Sequence, residues 1–242
     1  MRVLVKTDVG KARDLNEDSY YVPQEEDDLK LFIVADGMGG YNGGEIASSL
    51  AIKAAKSYIE TNFISTPKDR ESIAELIKSG MQYANMVVYE KSKEDEALKG
   101  MGTTMEICFL YENKMYIGHI GDSRIYRIRK GTMRKLTKDH SYVEQLVEEK
   151  KITREEANNH PKKNMLTKAL GCTPFVEPDI RARNVEKNDI FIMCTDGLTN
   201  MVSEEEICDT VIKNPEKAAE VLVKQANNFG GYDNITVVII VS

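Results

Sequence analysis

The sequence has few of the residues that build zinc sites, disulfide frameworks or histidine metal centres. Its four cysteines show no CxxC spacing, and its three histidines, His119, His140 and His160, are dispersed along the chain. These counts argue against a disulfide-stabilised fold and against a histidine-based metal site, so free reduced thiols are the simpler interpretation. Cys194, inside the apolar run FIMC, is expected to be a small core residue.

Long apolar runs and an excess of basic charge are also missing. The longest apolar stretch, ITVVIIV at 235–241, is too short to span a bilayer, and the N-terminus lacks an apolar signal region. The formal net charge is −6, from 39 acidic and 33 basic side chains, which predicts no nucleic-acid surface and no anionic-lipid surface. We therefore expect a cytoplasmic protein that binds neither nucleic acid nor membrane, with a monomer as the default.

The order of the sequence patterns predicts a layered α+β fold. At 242 residues, with 41% hydrophobic and 30% charged side chains, residues 1–242 are expected to form a single domain. Strand-like segments come first, and two helical patterns follow, one from Glu45 and one opened by Thr66 and Pro67 as N-cap and first turn. Strand patterns return with TMEICFLY, KMYIGHI, RIYRIRK and TMRKLT, whose short turns predict an antiparallel meander. Because strands and helices come in blocks, a doubly wound parallel sheet is disfavoured.

The second half of the chain contains a polar segment between strand patterns. Residues 139–170 are helical in pattern and poor in large apolar side chains, which predicts a surface excursion from the core and no separate domain. DIFIMC then predicts a strand, and Ser203 with Glu206 predicts the capping box of a helix. Asn214 and Pro215 predict the start of another helix, and NITVVIIV predicts a buried final strand.

Aspartates stand at the ends of four apolar segments. Asp36 follows LFIVA, Asp122 follows YIGHIG, Asp196 follows FIMCT, and Asp233 precedes NITVVIIV. A single Asp-Gly pair is usually only a turn, and that interpretation is the alternative at each position. Four carboxylates that converged would repel one another unless a cation neutralised them, so the set predicts a divalent metal site. Oxygen ligands favour Mg²⁺ or Mn²⁺ over zinc, and ligand type alone also allows Ca²⁺.

The segment GKARDLNEDSY adds a basic residue and an acidic pair near the N-terminus. They are Arg13, Glu17 and Asp18. The planar guanidinium of an arginine matches the oxygens of a phosphate group. A lone arginine is more often a solvated surface charge, but beside a metal cluster it would complete a phosphate-handling site.

Eight motifs follow one another along the chain in a characteristic order. They read TDVGKARDLNEDSY, VADGMGG, GGEIAS, GMGTT, IGDSRIY, LTKALG, CTDGLTN and DNITVVII. Each is weak alone, but the ordered set resembles the metal-dependent Ser/Thr protein phosphatases of type 2C in their compact bacterial form. The resemblance implies a four-layer α-β-β-α sandwich, in which two central antiparallel sheets are flanked by helices on both faces, with the active site at one edge.

The resemblance also implies a set of metal ligands. Asp36 would bridge two Mn²⁺ or Mg²⁺ ions, and the carbonyl of Gly37 would bind the second ion. Asp196 and Asp233 would hold the first ion. Asp122 would bind a third, weaker ion shared with Asp196.

Further roles follow from the same resemblance. Glu17 and Asp18 would act through bound waters in the outer shell of the metals, and Arg13 would hold the substrate phosphate. The segment 139–170 falls where such proteins carry a mobile flap that affects substrate choice. Tyr41 stands where bacterial relatives often have histidine after GMGG, so protonation of the leaving group would fall to water at the metals. Tyr232, where a small residue is common, is expected to be a mild change.

The activity implied by the resemblance is hydrolysis of phosphoserine and phosphothreonine in proteins by a hydroxide that bridges two metal ions. No cysteine has an arginine six residues later, so a Cys-x5-Arg covalent mechanism is not indicated. Expected partners are phosphorylated proteins, including a bacterial Ser/Thr kinase that the enzyme opposes. Two alternatives are a pseudophosphatase that only binds phosphoproteins, which missing ligands would favour, and a phosphatase devoted to anti-sigma-factor antagonists. The Arg13 motif and the segment 139–170 argue against the second alternative.

Overall fold

The computed structural model describes residues 1–40 and 43–242. The predictions made for Tyr41 lie outside these described residues. The strands are β1 (Arg2–Asp8), β2 (Asp18–Tyr21), β3 (Lys30–Met38), β4 (Gly102–Thr103), β5 (Met105–Tyr111), β6 (Lys114–Ile120), β7 (Arg124–Arg129), β8 (Thr132–Lys135), β9 (Asp179–Asn184), β10 (Ile190–Cys194) and β11 (Ile235–Val241). The helices are α1 (Gly43–Phe63), α2 (Arg70–Glu94), α3 (Tyr142–Glu148), α4 (Arg154–Asn158), α5 (Asp196–Thr199), α6 (Glu204–Lys213) and α7 (Ala218–Asn228), with a short 3-10 helix at Glu96–Leu98. Among the described residues, no helix combines the length and apolar character that a bilayer crossing needs.

The strands form two antiparallel sheets that pack face to face. The first sheet has the order β1-β11-β10-β7-β8, and the second has the order β2-β3-β5-β6-β9, with the short β4 beside β3. Apolar side chains from both sheets fill the layer between them, including Phe32 and Ile117 from the second sheet and Phe191 and Val238 from the first. The predicted α+β fold with two antiparallel sheets is therefore confirmed.

Helices cover the outer face of each sheet. In β3, Phe32 and Val34 point into the layer between the sheets, whereas Leu31 and Ile33 point toward α1 and α2. Because both faces of this strand are buried, its sequence is a continuous apolar run and not an alternating one. On the other side of the molecule, α6 and α7 pack on the first sheet through side chains such as Val211. The order of layers is helices, sheet, sheet, helices.

The predicted meander is wrong, because its two hairpins belong to different sheets. β5 pairs with β6 in the second sheet, and β7 pairs with β8 in the first. The chain crosses between the sheets at Gly121, whose φ is +112° and whose added Cβ would lie 2.4 Å from the Cγ2 atom of Thr104. The short turns correctly indicated hairpins, but turn chemistry does not decide whether consecutive hairpins share a sheet.

Two predicted helix starts are also displaced. Helix α2 has Asp69 as its N-cap, and the carboxylate of Asp69 accepts a hydrogen bond from the amide of Ser72 at 2.9 Å. Thr66 instead closes α1, because its hydroxyl donates to the carbonyl of Asn62 at 2.8 Å. Helix α7 begins at Ala218, after a turn that starts at Asn214. The capping box of Ser203 and Glu206 at α6 is confirmed.

The segment 139–170 contains α3 and α4, so its predicted helical character is confirmed. Both of its ends are joined to the body of the molecule. The amide of Thr167 donates to the carbonyl of His140 at 2.8 Å, and Leu170 exchanges backbone hydrogen bonds with Thr103 at 2.9 and 3.0 Å. Its action as a mobile flap within a single domain of residues 1–242 stays a prediction.

Candidate metal centre

The strand ends bring the predicted aspartates to one edge of the sandwich. In the second sheet, β2 pairs with β3 so that Asp18 lies directly opposite Asp36. In the first sheet, Asp196 directly follows β10 and Asp233 precedes the neighbouring antiparallel β11, so both lie at the same edge. Asp122 lies in the crossover between β6 and β7, which joins the two sheets.

A pocket of 220 Å³ opens between these strand ends. Seven of the eight predicted site residues line it, namely Arg13, Glu17, Asp36, Gly37, Asp122, Asp196 and Asp233. The eighth, Asp18, is a buried neighbour of Asp36 across the β2–β3 pair. The structure thus brings together carboxylates that are as distant in the sequence as Glu17 and Asp233.

Burial, followed by neighbouring negative charges, raises the pKa of four aspartates at the pocket. Burial raises the pKa of Asp36 well above the ordinary aspartate value, and the charges of Asp18 and Asp196 raise it further. Burial also raises the pKa of Asp122, with the charge of Asp196 as the next cause. For Asp196 the causes are burial and then the charge of Asp233. Burial is the main cause that raises the pKa of Asp18 to about 7. Such a cluster is electrostatically unfavourable until a cation neutralises it.

Two buried carboxylate oxygens near the pocket have no hydrogen-bond partner among residues 1–40 and 43–242. They are Oε1 of Glu17 and Oδ1 of Asp18. The other oxygen of Asp18 accepts hydrogen bonds from the hydroxyls of Thr195 at 2.9 Å and Thr236 at 2.7 Å. Asp18 is therefore held in one orientation with one oxygen left over, a geometry that suits a water-mediated contact to a cation.

The donor set fits a hard divalent ion. The pocket offers carboxylate oxygens and the carbonyl of Gly37, and its described lining residues include no thiol or imidazole. Within residues 1–40 and 43–242, no group of three His, Cys, Asp or Glu side chains is arranged so that it could hold a metal ion by itself. Mg²⁺ does not require such a cluster, because it keeps several water ligands and is usually held by one or two carboxylates.

Close backbone contacts explain the glycines around Asp36. A Cβ added to Gly37 would lie 2.0 Å from the carbonyl oxygen of Gly44, and one added to Gly44 would lie 2.2 Å from Oε1 of Glu17. The amide of Gly37 also donates to the carbonyl of Glu17 at 3.1 Å. The end of β3, the start of α1 and the N-terminal loop therefore meet without room for side chains.

Arg13 lies at the mouth of the pocket. Its side chain is 47% exposed, and Nη2 is 2.9 Å from Oδ2 of Asp233. Sequence analysis missed Asn234, which holds the loop that carries Arg13. Its side-chain amide donates to the carbonyls of Val9 and Leu15, both at 2.9 Å, and its oxygen accepts from the amide of Glu17 at 2.8 Å. Its place directly after Asp233 was the available signal.

Sequence analysis also missed a buried network behind Asp122. The rings of His119 and His140 stack with centroids 4.5 Å apart. Nε2 of His119 donates to the carbonyl of Lys138 at 2.6 Å, because a carbonyl can only accept. Burial lowers the pKa of His119 to about 4 and raises the pKa of Glu106. Nδ1 of His119 lies 2.8 and 2.9 Å from the two carboxyl oxygens of Glu106.

This network supports the crossover that carries Asp122. The amide of Gly121 donates to Nδ1 of His140 at 3.2 Å, and the amide of His140 donates to the carbonyl of Gly121 at 2.7 Å. The two histidines are 21 residues apart in sequence, so their dispersal did not suggest a pair. Their contacts connect the start of the segment 139–170 to the strand end at Asp122.

Comparison with known proteins identifies the family. The model of the family described as Protein phosphatase 2C matches residues 11–230. The chain is 38% identical over 246 residues to the serine/threonine phosphatase stp of Listeria welshimeri, with 99% of this chain and 95% of that protein covered. The crystal structure of the Mycobacterium tuberculosis serine/threonine phosphatase PstP/Ppp has a TM-score of 0.87 and 34% identity, with 98% of this chain and 97% of that chain covered.

A further similar structure contains metal. The catalytic domain of the serine threonine protein phosphatase PstP, solved in complex with two manganese ions, has a TM-score of 0.85 and 34% identity, and covers 98% of this chain and 96% of its own. Together with the ordered motifs and the strand-end carboxylates, these similarities show that the chain belongs to the protein phosphatase 2C family and is a metal-dependent serine/threonine protein phosphatase.

Proposed function

We propose that this phosphatase holds two Mn²⁺ or Mg²⁺ ions in the pocket and hydrolyses phosphoserine and phosphothreonine esters there. Asp36 and the carbonyl of Gly37, with Asp196 and Asp233, would be the ligands of the two ions. Asp122 would share a third, weaker ion with Asp196. The observation that carries the proposal is the convergence of Asp36, Asp122, Asp196 and Asp233 on one pocket whose lining has Arg13 as its basic side chain.

The similar PstP structure supports the number of core ions, because that protein was solved with two manganese ions. When bound, the ions would lower the pKa of a coordinated water to around 7 and neutralise charge on the phosphoryl oxygens. The protein's own contribution is to place the ligands. Asn200 donates a hydrogen bond to Oδ2 of Asp196 at 2.9 Å, and the hydroxyls of Thr195 and Thr236 orient Asp18.

The proposed role of Arg13 is to bind the phosphate of the substrate. Its guanidinium has Asp233 as its ion-pair partner and is half exposed at the pocket mouth, so it can turn toward an incoming anion. Glu17 and Asp18 each have one buried oxygen without a hydrogen-bond partner in the described part of the chain, and these oxygens would accept hydrogen bonds from waters on the ions. Asn164 and Leu166 also line the pocket, which supports the proposal that the segment 139–170 is a flap beside the substrate.

The experiment is phosphate release from a phosphothreonine peptide and from p-nitrophenyl phosphate, with EDTA, Mg²⁺, Mn²⁺ or Ca²⁺ present. Wild type is compared with Asp36→Asn and Asp196→Asn, and the exposed Asp14→Asn is the matched control. We expect activity only with Mn²⁺ or Mg²⁺, unchanged in the control and reduced at least about 100-fold in both ligand variants. Full activity in Asp36→Asn would refute the ligand assignment. A folded wild type that binds Mn²⁺ without turnover would support the phosphoprotein-binding alternative.

We also propose that the protein substrates include a bacterial Ser/Thr kinase that the enzyme opposes in the cytoplasm. The support is the ordered set of motifs, which matches compact bacterial members of the family. The test is to incubate the phosphorylated cytoplasmic domain of such a kinase from the same cell with the enzyme and Mn²⁺, and to follow each phosphosite by mass spectrometry. Loss of activation-loop phosphothreonine with wild type but not with Asp36→Asn is expected. Retention of every phosphosite would contradict the proposal.

A further inference from the structure

Two grooves lead away from the catalytic pocket, and their chemistry differs. A polar groove of 440 Å³ starts at Asp122 and Asp196 and runs under α3 and α4. Its charged side chains are largely paired with each other, as in the bidentate contact of Arg154 with Glu144. The second groove, of 470 Å³, we call the apolar groove. Its apolar lining consists of Met38, Leu166, Ala169, Cys172, Phe175 and Val176.

The apolar groove is continuous with the catalytic pocket. Met38, Asn164 and Leu166 line both of them. Met38 belongs to β3 and is two residues beyond Asp36, so one strand carries both a proposed metal ligand and the start of the groove. A chain whose phosphorylated residue occupied the pocket would advance by roughly 3.3 to 3.6 Å per residue, so its near neighbours would pass over these shared side chains.

Phe175 is presented at the surface of this groove by an anchored loop. The side chain of Phe175 is 67% exposed, whereas the next residue, Val176, is buried. The buried Asn85 of α2 accepts a hydrogen bond from the amide of Gly171 at 2.8 Å and donates to the carbonyl of Thr173 at 3.0 Å. The exposed aromatic ring is thus held outward by the fold, and an exposed apolar surface beside a pocket indicates a binding site.

The rim of the apolar groove is polar. Nζ of Lys168 donates to the carbonyl of Glu177 at 3.3 Å, and the carboxylate of Glu177 forms an ion pair with Lys78 at 2.7 Å. An apolar centre with a paired polar rim is typical of sites that bind an extended peptide with one buried side chain. The described lining therefore offers a favourable contact to an apolar side chain, and its charged groups are paired, Lys168 with Asp179 at 3.7 Å and Glu177 with Lys78.

We propose that the apolar groove receives an apolar side chain of the substrate protein, one or two residues from the phosphorylated serine or threonine. This proposal rests on the proposed function, because it takes the pocket at Asp36 as the place where the phosphate is held. The enzyme would accordingly prefer phosphosites that have leucine or a similar side chain as a near neighbour. Burial of such a side chain in the groove is expected to raise kcat/KM about tenfold relative to serine at that position.

The test is a set of phosphothreonine peptides that differ only in the residues flanking the phosphothreonine. Leucine, serine, lysine or glutamate is placed at the first or second neighbour on either side, and kcat/KM is measured with Mn²⁺. The variants are Phe175→Ala and Phe175→Lys, and Phe229→Ala is the matched control because Phe229 is a second exposed phenylalanine, 53% exposed, at the end of α7. p-Nitrophenyl phosphate has no peptide residue to enter the groove, so its hydrolysis measures the activity of the catalytic centre alone.

For wild type and Phe229→Ala, we expect a leucine peptide to exceed its serine counterpart about tenfold on at least one side. For both Phe175 variants, we expect that ratio to fall toward one while hydrolysis of p-nitrophenyl phosphate stays unchanged. Equal kcat/KM for all peptides, or a leucine preference that survives in Phe175→Lys, would overturn the proposal. A change of oligomeric state in Phe175→Lys, with the peptide ratio intact, would overturn it in favour of an interface between copies of the chain. Wild type without activity on p-nitrophenyl phosphate would instead refute the proposed function.

Discussion

Arg13 and Asp233 form an ion pair at the rim of the pocket, with 2.9 Å between Nη2 and Oδ2. If Arg13 binds the substrate phosphate, its guanidinium contributes a charge-assisted hydrogen bond that an alanine cannot make. We expect Arg13→Ala to raise the KM for p-nitrophenyl phosphate about 10- to 100-fold, and Arg13→Lys to raise it less because the charge is kept. Steady-state kinetics measure both, with the exposed Arg134→Ala as control. An unchanged KM in Arg13→Ala would contradict the phosphate-binding role.

Substitution of Gly37 by alanine tests the close packing behind the pocket. An added Cβ would lie 2.0 Å from the carbonyl oxygen of Gly44, which is backbone and cannot move aside cheaply. We therefore expect Gly37→Ala to lower the melting temperature and to abolish metal-dependent activity. Among the described residues nothing lies within 4 Å of a Cβ added to Gly40, so Gly40→Ala is the matched control. Equal melting temperatures for the two variants would show that the packing argument is wrong.

At the scale of elements, helix α6 is stabilised by its N-terminal cap. The hydroxyl of Ser203 accepts from the amide of Glu206 at 3.3 Å, and the carboxylate of Glu206 accepts from the amide of Ser203 at 3.0 Å. Loss of a serine cap typically costs about 1 kcal/mol, so Ser203→Ala should lower the free energy of unfolding by about that amount. Urea denaturation measures the free energy of unfolding. Ser203→Thr, which keeps a hydroxyl, should lose much less of this free energy. A Ser203→Ala protein as stable as wild type would contradict the role of the cap.

The crossover between β6 and β7 depends on a neutral His140. Burial, followed by smaller effects of His119 and Lys168 and opposed by Asp179, lowers the pKa of His140 to about 4. Between about pH 4 and the unfolded value near 6.5, the unfolded chain binds more protons at this site than the folded one. The contribution of His140 to stability is therefore complete above pH 6.5 and is lost as the pH falls toward 4.

The expected size of this pH effect is about 3 kcal/mol, from the difference between the two pKa values. Urea denaturation in EDTA from pH 4 to pH 7 should show a steeper rise of the free energy of unfolding for wild type than for His140→Asn. Comparing the two proteins cancels the titration of the pocket carboxylates, which both contain. If the free energy of unfolding had the same pH dependence in wild type and in His140→Asn, the assignment of this pH effect to His140 would be contradicted.

At the scale of the whole molecule, the metal site and the stability of the fold are linked. The carboxylates in the pocket come from both sheets, so a cation bound there joins the two halves of the sandwich and removes their repulsion. A ligand at 100 times its Kd adds about 2.7 kcal/mol, which corresponds to a rise in Tm of roughly 5 to 10 °C for a domain of this size.

We therefore expect saturating Mn²⁺ to raise the Tm of wild type by about that amount. Asp196→Asn should lose most of the rise, and in EDTA it should be at least as stable as wild type because one repelling charge is gone. Differential scanning calorimetry measures both effects, with Asp14→Asn as the control for a change of surface charge. A full Mn²⁺ shift in Asp196→Asn would argue against its role as a ligand.

Some features could be predicted because they depend on residues close together in sequence. The run LFIVA in β3 is apolar at every position because both faces of the strand are buried, and Ser203 and Glu206 cap α6 from three residues apart. One error, the start of α2, occurred where two local signals competed. Thr66 and Asp69 can both cap a helix, and only packing decided that Thr66 closes α1 and Asp69 opens α2.

The amino-acid sequence by itself determined the α+β class, the set of strand-end carboxylates and, through the ordered motifs, the family whose resemblance implies two sheets, because apolar periodicity and motif order are properties of short segments. Only the tertiary structure decided that β6 and β7 belong to different sheets, that His119 stacks on His140, and that Phe175 borders the apolar groove. These contacts join segments far apart in the chain. They are selected by the burial of whole faces of sheets and helices, which no local pattern specifies.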